Sequence, residues 1–112
     1  MSEEYKERVL KAGDISTMVT GRSGGHPVRC LKTPFTRRFA KAESAGASQD
    51  ELNAMGAGSL RKAAREGDYE NGSFMCGQIA GLVKRRQTAA EIVDDLIGGA
   101  EKVLKGATTW LR

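Results

Sequence analysis

Three glycines punctuate the segment Gly72-Ser73-Phe74-Met75-Cys76-Gly77-Gln78-Ile79-Ala80-Gly81-Leu82-Val83, and they restrict what this chain can fold into more than any other stretch. A glycine inside a helix costs about 1 kcal/mol relative to alanine, so an ordinary core helix would favour Ala or Leu at such positions. Without a Cβ, each position admits the close approach of another backbone or of a flat ligand. The segment reads as a turn, a small-residue helix start and an apolar helix, with the amide of Gln78 set among apolar neighbours.

The rest of the chain organises around helices. Ser2 caps a first helix with Glu3 and Glu4 in its first turn and Lys11 in its last, which suits the helix dipole. Tyr5, Val9 and Ala12 share one face and Gly13 ends it. Residues 15–19 and 28–31 read as two short, pairing strands, joined by a loop with glycines at 21, 24 and 25. Thr33-Pro34 starts a helix with Phe35, Phe39 and Ala42 on its buried stripe. Ser48-Gln49-Asp50-Glu51 has capping-box spacing and opens a helix burying Leu52 and Met55. Gly56 and Gly58 interrupt before a short helix closed by Gly67. A second capping box, Thr88-Ala89-Ala90-Glu91, opens a helix whose near-3.6 spacing buries Ile92, Val93, Leu96, Ile97, Ala100, Val103, Leu104 and Ala107. Gly98-Gly99 is its weak point.

With 112 residues there is room for one modest core. Hydrophobic residues at 39% and charged residues at 29% suit a globular piece rather than a disordered one. No run approaches the ~20 apolar residues of a membrane span, and the acidic N-terminus is unlike a signal peptide, so the cytoplasm is the default location. Cys30 and Cys76 form neither a disulfide framework nor a CxxC pair. They read as reduced, partly buried thiols, with a reactive Cys76 near a ligand as the alternative.

The net charge of +4 is mild but unevenly placed. Residues 15–42 carry no acid, whereas Arg22, Arg29, Lys32, Arg37, Arg38 and Lys41 are basic, and Lys84-Arg85-Arg86 adds a second cluster. Acids gather in residues 2–7 and 91–101. Such a face attracts phosphates or an acidic protein. With aromatics at only 5% and no recognised module, nucleic acid is an unlikely partner.

The loop Gly21-Arg22-Ser23-Gly24-Gly25 beside His26 and Arg29 could bind an anion through backbone N–H groups and the guanidinium; the alternative is a tight turn that fixes the hairpin. His26 has no Cys, Asp or second His at metal spacing, so no zinc site is expected. It could titrate as an acid–base group, but a structural hydrogen bond or a substrate contact is the favoured reading.

Taken with Gly21-Arg22-Ser23-Gly24-Gly25-His26-Pro27-Val28-Arg29 and Met55-Gly56-Ala57-Gly58-Ser59-Leu60, the residue 72–83 segment resembles the C-terminal region of the flavin-dependent enoyl-ACP reductases, close relatives of the nitronate monooxygenases (2-nitropropane dioxygenases). The order and spacing of the three motifs match, and the resemblance runs over nearly the whole chain. It implies a mostly α fold with a small antiparallel β element, the C-terminal fragment of a flavin-binding TIM (β/α)8 barrel. Residues 1–71 would be the small inserted substrate or lid domain, and residues 72–112 the return segment and terminal barrel helices.

The same resemblance implies FMN and NAD(P)H as cofactors of the intact enzyme, with tight binding not expected of this chain alone. It places the family's phosphate site and active-site histidine upstream, so no catalytic residue is expected here. Met75, Gly77 and Gln78 are the implied flavin contacts: a polarizable thioether, an open backbone and an amide for a flavin edge. Gly24, His26, Arg29, Ser73 and Met75 are the implied substrate contacts. Expected partners are the missing N-terminal barrel portion, acyl carrier protein or the nicotinamide cofactor's phosphates meeting Arg29, Lys32, Arg37 and Arg38, and a second copy in a homodimer. Two other readings stay open: a nitronate monooxygenase fragment that oxidises alkyl nitronates with oxygen, and a stand-alone helical module using its basic face. Without a partner, the residue 92–107 helix is expected to expose apolar surface.

Overall fold

The computed structural model describes residues 1–107. Helix α1 (Glu3–Leu10) starts where the Ser2 hydroxyl accepts the Tyr5 N–H. A turn follows in which Ser16 Oγ accepts the Gly13 N–H and the Ser16 N–H bonds the Gly13 carbonyl. That turn takes up Ile15, which is exposed, so strand β1 begins at Thr17 and runs to Thr20 rather than spanning residues 15–19. It pairs antiparallel with β2 (Val28–Leu31) in the register Thr17 to Leu31 and Thr20 to Val28.

Helix α2 (Pro34–Ser44) begins at a reciprocal cap between Thr33 and Thr36. Both threonines are fully buried, and the Thr36 hydroxyl also reaches the Leu31 carbonyl at 3.0 Å. Helix α3 (Gln49–Gly56) starts at the Ser48–Glu51 capping box. Gly58, at φ +73°, leads into α4 (Ser59–Arg61), which widens into a π-helical turn over Lys62–Glu66 and ends at Gly67, φ +68°. A positive φ at both joints is why glycine stands there.

Residues 72–76 then run along the outer edge of β2. The Leu31 N–H bonds the Phe74 carbonyl at 2.8 Å, the Cys76 N–H bonds the Arg29 carbonyl at 3.1 Å, and Cys30 bridges Met75. A two-stranded hairpin is marginal alone, and this added edge together with the helices completes it. Phe74 is wholly buried at the centre of the core, against Tyr5 at 4.9 Å and Tyr69 at 6.2 Å between ring centroids, with Leu31, Ala63 and Ala80 around it.

The apolar helix expected after Cys76 is instead a short 3-10 helix, Gln78–Leu82. Only Ala80 and Gly81 are buried there; Ile79, Leu82 and Val83 are exposed, so no neighbour supplies the burial that would sustain a longer helix. Helix α5 (Ala89–Ala107) follows the Thr88–Glu91 cap and passes through Gly98 and Gly99 unbroken. None of its residues is buried. The burial expected of Ile92, Val93, Leu96, Ile97, Val103 and Leu104 is therefore absent, and their stripe is an open apolar face. Arg86 bonds Glu3 and Glu7 of α1, and Arg85 bonds Asp95. No helix among the described residues is long and apolar enough to cross a membrane.

The three glycines of residues 72–83 divide into two kinds. A Cβ on Gly72 would stand 2.4 Å from the Asp68 carbonyl oxygen and 2.8 Å from the Ala63 nitrogen, and one on Gly81 would stand 3.1 Å from the Gly13 carbonyl carbon. Backbone approach explains both. Around Gly77 only the Ile79 side chain comes within 3.8 Å, so packing within the chain does not require glycine there.

Candidate functional site

An open cleft of about 370 Å³ lies between the hairpin loop, α2, α3 and the residue 72–76 strand. Its apolar lining is Val28 from β2, Phe35 and Phe39 from α2, Leu52 from α3, and Met75; Gln49, Asn53, Ser59 and Ser73 add polar groups. The α2 stripe of Phe35 and Phe39 forms one wall, Phe35 buried as expected and Phe39 half-buried, with the two rings tilted at 6.1 Å. Most of the lining is apolar with few polar groups, the usual make-up of a small-molecule site.

Four of the five substrate contacts that the resemblance implies meet at this cleft: Gly24, His26, Ser73 and Met75. Arg29 does not join them. It sits one residue along β2 from Val28, so strand alternation turns it to the other face, where Nη1 donates to Thr17 Oγ1 at 2.9 Å. Of the implied flavin contacts, Met75 lines the cleft, while Gly77 and Gln78 lie outside it and are exposed. Gln78 has no side-chain hydrogen bond among the described residues, which leaves its amide open to a ligand edge.

Met75 is fixed through its main chain. Its carbonyl accepts the Tyr5 hydroxyl, and its neighbours are bonded to β2. Burial, followed by the nearby Cys76 and Cys30, pushes the Tyr5 phenol up to about 12, so it keeps its proton and stays a donor. Burial also pushes the Cys76 thiol up, with Cys30 adding to the rise and Arg29 opposing it. A raised thiol is a poor nucleophile, so the reading of a reactive Cys76 is not supported.

The glycine loop above the cleft does not offer its N–H groups to an outside anion as the sequence suggested. Glu43 of α2 occupies them: its carboxylate accepts the Gly21 N–H at 3.1 Å, the Ser23 N–H at 2.8 Å and the Ser23 hydroxyl at 2.9 Å. The Ser23 N–H is the main reason its carboxyl lies below the ordinary glutamate value. Gly21 at φ +79° and the His26 N–H to Gly21 carbonyl bond (3.1 Å) close the loop, and Gly24 rests so near Gln49 that a Cβ would lie 2.4 Å from its amide oxygen. The tight-turn alternative describes this loop. Glu43 was missed because a single acid 20 residues downstream carries no local motif; the only sequence signal was that it ends an acid-free run.

Fold and cleft together point to one class of protein: the chain belongs to the nitronate monooxygenase family, which it matches over residues 1–99. Among solved structures it is similar to FabK from Thermotoga maritima, at 36% identity over 98% of this chain with a TM-score of 0.89. A methionine-to-alanine mutant of FabK from the same organism aligns at 34% identity over 98% of this chain with a TM-score of 0.78. The chain spans about a third of those proteins, 35% and 32% of their lengths. No curated protein matches it.

Proposed function

We propose that this chain is the C-terminal portion of an FMN-dependent enoyl-ACP reductase, acting in the cytoplasm in fatty acid biosynthesis. Residues 1–71 are the substrate-side lid, and residues 72–112 return the chain to a TIM barrel supplied by the rest of the enzyme. The observation that carries this reading is the convergence of Gly24, His26, Ser73 and Met75 on one apolar cleft, in a chain that aligns with FabK across 98% of its length.

The residues present fit one edge of a flavin. A Cβ on Gly77 would meet only the Ile79 side chain, at 3.8 Å, and the Gln78 amide is uncommitted among the described residues. When bound, FMN would take a hydride from NAD(P)H and deliver it to the β-carbon of an enoyl thioester. The chain's own share is positioning. Phe35, Phe39, Leu52 and Met75 would hold an acyl chain and exclude water, while His26 and the Ser73 hydroxyl, which also line the cleft, would orient a thioester carbonyl. The basic residues Lys32, Arg37 and Arg38 would meet the acidic carrier protein.

The test is reconstitution. The purified chain is mixed with a separately produced barrel portion of a FabK-type enzyme, and flavin absorbance and trans-2-enoyl thioester reduction are followed. Yellow, active protein from the mixture and from neither part alone is expected; no flavin retention would overturn the reading. The family match favours a second reading, oxidation of alkyl nitronates. Nitronate-dependent oxygen uptake without enoyl reduction in the same mixture would select it.

A further inference from the structure

A second cleft, of about 410 Å³, shares no lining residue with the first. It lies between the end of α1, the turn before β1, the end of β2 and the start of α2. Its charged lining is cationic throughout: Arg8, Lys11, Lys32 and Arg37 face it, and no carboxylate does. Arg8 is committed, bonded to Glu4 at 2.6 Å and stacked 3.7 Å above the Tyr69 ring. Lys11 is loosely paired with Glu7 at 3.7 Å. Lys32 and Arg37 have no carboxylate or side-chain hydrogen-bond partner among the described residues.

This arrangement disfavours the chain by itself. Like charges around one concavity repel, and Arg37 lies near the positive end of the α2 dipole, in a helix with no acid in its first turn. An anion would relieve both. Two unpaired cations, Lys32 and Arg37, beside the loosely paired Lys11 match a multiply charged group better than a single carboxylate, and the guanidinium fork of Arg37 suits phosphate oxygens. Arg8 already covers one face of the Tyr69 ring, the only aromatic side chain in the lining. Recognition would rest on the phosphate.

We propose that this cleft binds the phosphate or pyrophosphate group of a small molecule, held by Lys32 and Arg37 with Lys11 and the Ser16 hydroxyl at its edge. The site stands on this chain's own residues and does not depend on the flavin reading.

The test is an amide NMR titration of the 112-residue chain with inorganic pyrophosphate, and separately with ADP, against sodium chloride at matched ionic strength. Saturable shifts centred on Ser16, Lys32 and Arg37 are expected, fading with added salt. Arg37→Glu and Lys32→Gln should each weaken binding about tenfold or more, as the loss of one charge-assisted contact implies. Arg65→Glu, outside the cleft, should change it less than about twofold, since it alters only the long-range charge. ADP binding much tighter than pyrophosphate would identify a nucleotide as the source; equal binding would identify the phosphate alone. Shifts spread over all basic residues, no saturation, or equal loss in the Arg65 variant would overturn the site. Should Arg37→Glu fail to fold, Lys32→Gln decides.

Discussion

The three glycines of residues 72–83 make a graded test of how this fold is held together. At Gly72 the atoms that an alanine would strike are all backbone, at 2.4 Å from the Asp68 oxygen, 2.8 Å from the Ala63 nitrogen and 2.9 Å from the Ala63 Cα. None can rotate aside, and Ala63 is wholly buried. Gly72→Ala should therefore cost about 3 kcal/mol, the upper end of overpacking penalties. At Gly81 the nearest atoms are at 3.1 and 3.2 Å, so a shift of a few tenths of an ångström suffices. Gly81→Ala should cost about 1 kcal/mol. Gly77, at φ −71° with ordinary contacts only, admits alanine without strain. Gly77→Ala should be neutral or stabilising by about 0.5 kcal/mol, because it restricts the unfolded chain. Urea unfolding followed by circular dichroism reads all three as midpoint shifts at constant slope. Equal losses at positions 77 and 72, or a cost below ~1 kcal/mol at position 72, would refute the backbone-contact account.

Glu43→Ala should speed hydrogen exchange at the Gly21 and Ser23 amides, which lose their acceptor. Because the Glu43 carboxyl lies below its ordinary value of 4.5 in the folded chain, its contribution is present above that pH and is lost as pH falls through the lowered value. In the acid range, loop amide protection should fall in the wild type and stay flat in the variant. Tyr5 works in the opposite range. The folded chain holds the phenol proton from the ordinary value of 10 up to about 12, so stability is full below pH 10 and declines as pH rises toward 12. Tyr5→Phe should remove its share of that alkaline decline, seen in denaturation midpoints. On α5, Leu96→Lys with Leu104→Lys should reduce self-association in sedimentation while leaving the helical signal of the remaining elements intact, since both side chains are about 70% exposed.

What could be read from the sequence was local. Ser2, Thr33, Ser48 and Thr88 announce their helices because a cap and its partner lie three residues apart. The hairpin was legible from its β-branched residues and glycine loop. The 3-10 helix at Gln78–Leu82 was not, because the apolar pattern of Ile79, Leu82 and Val83 is the same whether or not a neighbour covers it. The open face of α5 has the same cause. Within the cleft, Gly24, His26, Ser73 and Met75 were named through resemblance, while Gln49, Asn53 and Glu43 depended on tertiary approach. Arg29, named through the same resemblance, sits next to Val28 on β2 and so faces Thr17 instead of the cleft.

Met75 stands in the cleft wall as a side chain whose main chain alone is gripped, by the Tyr5 hydroxyl and by the edge of β2. Anchorage and contact surface are thereby uncoupled at this position. Natural variation, or an engineer, is free to exchange the thioether for a larger or smaller group and so retune what the wall accepts, without disturbing the scaffold that holds it.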